Sequence, residues 1–153
     1  MKRVSLITGV FAVLALAVVA VTSGANVKFR PTRVHAAMDG RQVVPSVSVR
    51  ATGAFHGTVL LLKKRYVLKW SISYRRLSSL AIATKVRLGT AGHDGTVLLA
   101  LCAPPTPCHV AAGGQRPIKP AVRRAILGGG AYVEVYTTKH RNGEIRGQIV
   151  RGK

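Results

Sequence analysis

Acidic residues are nearly missing from this chain. Asp39, Asp94, Glu134 and Glu144 are its only carboxylates among 153 residues, against 24 lysines and arginines. Hydrolysis by paired carboxylates needs one acid and one base close together. Glu134 and Glu144, on neighbouring predicted strands, are the one pair able to approach, and Glu144 is expected to pair with a nearby arginine instead. Cysteine is equally scarce: Cys102 and Cys108 alone. With His109 they make an incomplete zinc site. One tryptophan, four tyrosines and three phenylalanines leave few rings on which bases could stack, which argues against a dedicated single-strand nucleic-acid binder.

Catalytic motifs are absent as well. No Gly-x-Ser-x-Gly elbow occurs. The run Gly89-Thr-Ala-Gly-His-Asp-Gly95 lacks the Gly-Lys-Ser/Thr of a phosphate loop. His35, His56, His93, His109 and His140 show neither a helical His-x-x-x-His nor a His-x-His. They read as solvent-facing, and His93-Asp94 as turn chemistry. The expectation is a protein that is not an enzyme, with no catalytic, cofactor or metal residues.

What is present is positive charge and hydrophobic alternation. The chain begins with Lys2 and Arg3, then an apolar run from Val4 to about Val21, then Thr22-Ser23-Gly24-Ala25. Residues 1–25 read as a signal peptide with a small-residue cleavage site before Asn26. An uncleaved anchor formed by residues 4–21 is the competing reading, because the run approaches the length that spans a bilayer. Lys28, Arg30 and Arg33 just beyond it weaken the expected charge bias. Either way the rest of the chain lies outside the cytoplasm, secreted or membrane-anchored, where Cys102 and Cys108 are candidates for a disulfide. Loss of residues 1–25 would lower the formal net charge from +20 to +18, since Lys2 and Arg3 are the only charges removed.

Residues 26–33 form a basic linker, and 34–153 one domain. Val34–Met38 is a first strand and Gln42–Val47 an extended segment. Ala51–Leu62 is a long strand, turned at Lys63-Lys64-Arg65. Tyr66, Leu68, Trp70, Ile72 and Tyr74 then alternate with polar residues, as a half-buried antiparallel strand does. Ile82, Thr84, Val86 and Leu88 share a face, with Lys85 and Arg87 opposite. Thr96–Leu101 is apolar, the region from Gly113 to Pro117 a loop, and Pro120–Leu127 a short helix or a strand. Finally, Ala131–Thr138 and Asn142–Ile149 read as a hairpin, Asn142-Gly143 supplying the turn. In it Tyr132, Glu134 and Tyr136 face one way, while Glu144, Arg146 and Gln148 point away from Ile145 and Ile149. About seven or eight strands with turn-rich spacing predict an all-β, antiparallel β-sandwich. Its core would draw on Phe55, Trp70, Ile72, Val97, Leu99, Val133, Val135, Ile145 and Ile149.

The segment from Tyr132 to Ile149 resembles the closing motif of the CHRD (chordin-type) domain, which runs Tyr-Val-x-Val-His-Thr, a turn, then Gly-Glu-Ile-Arg-Gly-Gln. Gly40-Arg-Gln-Val-Val-Pro45, Ala51-Thr-Gly-Ala54 and Leu68–Tyr74 resemble earlier parts of the family in order. The resemblance spans roughly residues 33 to 151. It implies an extracellular module, found alone in bacteria and within chordin in animals. The sequence departs from the family where His-x-His is common, having Lys85-Val86-Arg87, and where the closing motif has His, having Tyr136. Any metal or catalytic site built from those histidines in relatives is lost here.

The basic residues are the remaining functional candidates: Lys63, Lys64, Arg65, Arg75, Arg76, Lys85, Arg87, Lys139 and Arg141. A surface so cationic attracts nucleic acid, teichoic or phospholipid surfaces and acidic polysaccharide. Charge spread over several turns suits non-specific adhesion to an anionic envelope polymer more than sequence-specific nucleic-acid readout. Charge that serves solubility, with no partner, is the plain alternative. An extracellular protein bound through an exposed sheet edge or face is another, and a metal protein or enzyme dependent on His93 or His140 a third.

Overall fold

Alternation between small or polar and large apolar side chains builds the longest ladder of the molecule. In the computed structural model, which describes residues 29–105, 108 and 111–152, strands β2 (Thr52–Leu62) and β3 (Arg65–Arg75) pair antiparallel over their whole length. They turn at Lys63-Lys64, where both residues have positive φ. Phe55, Val59, Leu68, Trp70, Ile72 and Tyr74 are buried on the inner side. The proposed signal or anchor segment 1–25, residues 26–28 of the proposed linker and His109 lie outside the described residues.

The other elements are β1 (Thr32–Asp39), β4 (Ala81–Leu88), β5 (Val97–Cys102), β6 (Ala111–Pro117), helix α1 (Pro120–Leu127), β7 (Ala131–Thr137), β8 (Ile145–Gln148) and the two-residue β9 (Val150–Arg151). Strand order is β5-β4-β7-β8-β1-β2-β3-β6, every pair antiparallel, with β9 added beside β1. The protein is therefore all-β, its sheet curled until nearly closed, with the two halves facing each other as in a sandwich. The end strands approach at one point, where Arg116 of β6 donates to the Ala100 carbonyl of β5 at 3.0 Å. Between the halves lie Val34, Met38, Phe55, Leu68, Ile72, Val86, Val133, Val135, Ile145 and Ile149.

Several expectations change. Val97 is 51% exposed and Leu99 only packs against the core, because β5 is an end strand with no neighbour on one side. The segment 113–117, expected as a loop, is the second end strand. Gly114 lies opposite Trp70, and a Cβ there would come within 2.9 Å of the indole. Glycine thus lets this backbone pair against a bulky ring, and Pro117 sits at the strand end where a missing N–H is tolerated. The ambiguous segment 120–127 is a helix, with Pro120 in its first turn, where the fixed φ is favourable. Gly40–Gln42 is a 3-10 turn, and the chain leaves it extended at Val43, without joining the sheet through Val47.

The final hairpin differs most. All seven residues of β7 are buried, so both of its faces are covered. Asn142-Gly143 is not a two-residue turn: β7 ends at Thr137, β8 starts at Ile145, and only Gly143 of the pair has positive φ. Nor does Glu144 pair with an arginine. Fully buried, it accepts from the Ser78 amide at 2.6 Å, the Ser78 hydroxyl at 2.9 Å and the Thr137 hydroxyl at 2.6 Å. Three short donors satisfy the carboxylate without a cation.

The disulfide forms. Cys102 and Cys108 are bonded with Cα atoms 5.5 Å apart. Both sulfurs are thereby used, which removes the metal-pair alternative.

Candidate functional site

Lys85 and Arg87 stand two residues apart on β4, hence on one side of the sheet. On the neighbouring strand β7, Glu134 and Tyr136 occupy that same side, Lys85 lying directly opposite Glu134. Arg87 donates to the Glu134 carboxylate at 3.0 Å and to the Tyr136 hydroxyl at 2.8 Å, and the Tyr136 hydroxyl donates to the same carboxylate oxygen. The Lys85 ammonium lies 4.6 Å over the Tyr136 ring. A cleft of about 360 Å³ opens above this group, bounded by Val44 and Pro45 on one side and Arg141 and Asn142 on another.

Charges around the cleft divide into spent and free. Glu134 is 1% exposed and matched by Arg87. Asp94, also at the cleft, is matched by Arg146 at 3.1 Å. Lys85 and Arg141 have no acidic partner within 4 Å among the described residues, so the mouth keeps two positive charges. Burial weakens the Arg87 charge, but its bonds to Tyr136 and Glu134 outweigh that and raise its pKa. Burial first, then the hydrogen bond and charge of Glu134, raise the Tyr136 pKa above the ordinary phenol range. The hydroxyl stays protonated and committed to Glu134. An anion is what the remaining groups can hold.

The cleft's other wall is the Gly-rich turn 89–95, kept in place by the closing hairpin. Arg146 is 1% exposed and donates to the carbonyls of Thr90 (2.8 Å) and His93 (2.9 Å). Its guanidinium also lies 3.5 Å over the Tyr132 ring. Gln148 donates to the carbonyls of Gly89, Gly129 and Ala131. At Gly147 a Cβ would run into the Ala37 carbonyl and the Met38 side chain. Arg146 and Gln148, expected on the face away from Ile145 and Ile149, thus bond the turn and its surroundings.

A family model, CHRD domain, matches residues 34–149. This chain belongs to the CHRD domain family. No curated protein and no solved structure matches it. In this CHRD domain, the positions that depart from the family's frequent histidines, Lys85, Arg87 and Tyr136, all meet in the cleft. Its Glu-Ile-Arg-Gly-Gln motif serves the fold, since Glu144, Arg146, Gly147 and Gln148 all bond or pack internally. CHRD domains are small β-rich modules, commonly extracellular.

Of the nine basic residues singled out in the sequence, the structure brings Lys85, Arg87 and Arg141 together. Lys63 and Lys64 form the β2–β3 turn beside Arg65, while Arg75 and Arg76 close the opposite end of β3. At about 3.3 Å per residue these groups are roughly 30 Å apart. Lys139 shares the β7–β8 turn with Arg141 and is exposed. Sequence reasoning missed Glu134 as the buried partner of Arg87 and Tyr136, which line the cleft. The signal was present: residues 85, 87, 134 and 136 have matching parity on two strands, but nothing in the sequence said that the strands adjoin.

Proposed function

We propose that this CHRD domain is an exported, non-catalytic binding module that adheres to anionic envelope polymers through its basic surface. One observation carries the reading: the carboxylates are already used. Asp39 binds Arg41, Asp94 binds Arg146, Glu134 binds Arg87, and Glu144 is buried on Ser78 and Thr137. Lys63, Lys64, Arg65, Arg75, Arg76, Lys139 and Arg141 are exposed, without acidic partners among the described residues. A cationic exterior with so little compensation draws polyanions by long-range attraction and counterion release. The disulfide supports a location outside the reducing cytosol.

The test is retention on heparin or cell-wall resin over a salt gradient. The expected result is retention that falls steeply with salt, weaker for Lys85→Ser/Arg141→Ser and for Lys63→Ser/Lys64→Ser. Retention unchanged at high salt rejects the reading. A protein partner is the second reading, favoured by the exposed Val97 on end strand β5. It requires that the purified protein capture a defined envelope protein, and that Val97→Lys abolish the capture.

A further inference from the structure

A second cationic surface lies on the outer face of strands β1, β2, β3 and β6. Antiparallel register sets its side chains in rows across the strands. Arg33, Thr58, Lys69 and Gln115 form one row. His35, His56 and Ser71 form the next. Arg33, His35, His56, Lys69, Ser71 and Gln115 are exposed, and a groove of about 390 Å³ runs beside Arg33, His56, Lys69 and Ser71. With strands about 4.8 Å apart, Arg33 and Lys69 stand about 10 Å apart at Cα, and the histidine row lies about 7 Å further along.

Among the described residues no carboxylate faces the two histidines. Beside His35 are Val150 of β9 and His56 of β2, with Arg33 and Ala37 along its own strand. Beside His56 are His35 and Ser71, with Ala54 and Thr58 along its strand and Lys69 on the diagonal. Arg151 of β9 is bonded instead to the Leu127 carbonyl. Asp39, four residues from His35, is held by Arg41. Two imidazoles supply only half of a four-ligand metal set, and Arg33 and Lys69 repel a cation. The same four groups together suit an oxyanion.

We propose that this face binds a phosphodiester polymer and that His35 and His56 make the binding stronger in acid. The proposal rests on the polyanion reading above and assigns it a ligand class and a regulation. Histidine is the side chain that gains charge between pH 8 and 5. A carboxylate polymer begins to lose its own charge toward the lower end of that range, since free carboxyls titrate near pH 4, whereas a phosphodiester stays ionised. Trp70 lines the groove but is only 9% exposed, and among the described residues no exposed ring on this face stacks on a base or sugar. Backbone phosphates are therefore what the rows can grip, with Thr58 and Ser71 adding hydroxyl donors.

The experiment measures binding of poly(glycerol phosphate) to the purified protein at pH 8 and pH 5.5 over a salt series. Polyglutamate, a carboxylate polymer, is the parallel probe. The expected result is about tenfold tighter binding at pH 5.5, with a salt slope steeper by roughly 0.7–0.9 for each phosphate gained. His35→Gln/His56→Gln should bind like the wild type at pH 8 and lose the gain; Arg33→Ser/Lys69→Ser should bind more weakly at both. Both changes are on an exposed face, and circular dichroism checks the fold. An undiminished acid gain in His35→Gln/His56→Gln overturns the proposal, as does binding with no gain in the wild type. A gain on polyglutamate equal to that on poly(glycerol phosphate) overturns the phosphodiester assignment. Absence of binding to either polymer at both pH values overturns the adhesion reading itself.

Discussion

The guanidinium of Arg146 lies 3.5 Å over the ring of Tyr132, and the two side chains share one acceptor, a carboxylate oxygen of Asp94. One residue from β8 and one from β7 thus hold the Gly-rich turn that walls the cleft. Arg146→Met keeps most of the volume but leaves the Thr90 and His93 carbonyls without this donor. Urea unfolding should show a loss of about 2–4 kcal/mol, in the range for breaking a buried charged network. Limited proteolysis should cut first between residues 89 and 95.

Glu144 joins the Ser78 segment to the end of β7. A Glu144→Gln amide presents one acceptor oxygen in place of two, and its nitrogen cannot accept from the Ser78 amide. Thermal unfolding should reveal a destabilisation of about 1–3 kcal/mol. Ser78→Ala, which keeps the backbone donor, should cost less than Glu144→Gln. Equal losses would show that the hydroxyl and not the amide dominates the contact.

Gly114 faces the Trp70 indole across the β3–β6 ladder. Gly114→Val should displace the indole or the end strand at about 1–3 kcal/mol, the usual cost of overpacking. Tryptophan fluorescence reads the displacement directly, because Trp70 is the only tryptophan. An unchanged emission spectrum together with unchanged stability would contradict the packing described.

Alkaline pH should weaken the fold. Tyr74, Tyr132 and Tyr136 all have raised pKa values, burial being the largest cause in each. In the unfolded chain these phenols ionise near the ordinary value of about 10, while in the fold they keep their protons. The unfolded state then binds fewer protons, so stability is complete below pH 10 and declines as pH rises through the raised values. Phenolate absorbance should show delayed titration in the native protein. Tyr136→Phe should be less stable at neutral pH, having lost a hydrogen bond to Glu134, and should fall less steeply above pH 10.

Period-two alternation made most strands visible, and the closing motif made the family visible. The β3 stripe from Tyr66 to Tyr74 needed only its own sequence. The buried faces of β7 were illegible, because Tyr132, Glu134 and Tyr136 look solvent-facing until Arg87, Arg146 and the Gly-rich turn cover them. Strand β6 was hidden for a related reason: glycines that resemble loop residues make room for an indole from another strand. The cleft itself depended on β4 lying beside β7, a long-range pairing that local patterning does not encode. His35 and His56, twenty-one residues apart in sequence, face each other only through the register of β1 on β2.

The strands at the two ends of the sheet, β5 and β6, are consecutive in the chain, and the Cys102–Cys108 bond sits in the connection between them. This places the covalent link at the seam of the curled sheet. Production in a reducing cytoplasm would leave the exit of β5 unpinned, beside the Arg116–Ala100 hydrogen bond between the two end strands. Both end strands already carry an open hydrogen-bonding edge, and loosening one of them would help it recruit further copies, so soluble yield should depend on the oxidising capacity of the host more than on the polarity of the surface.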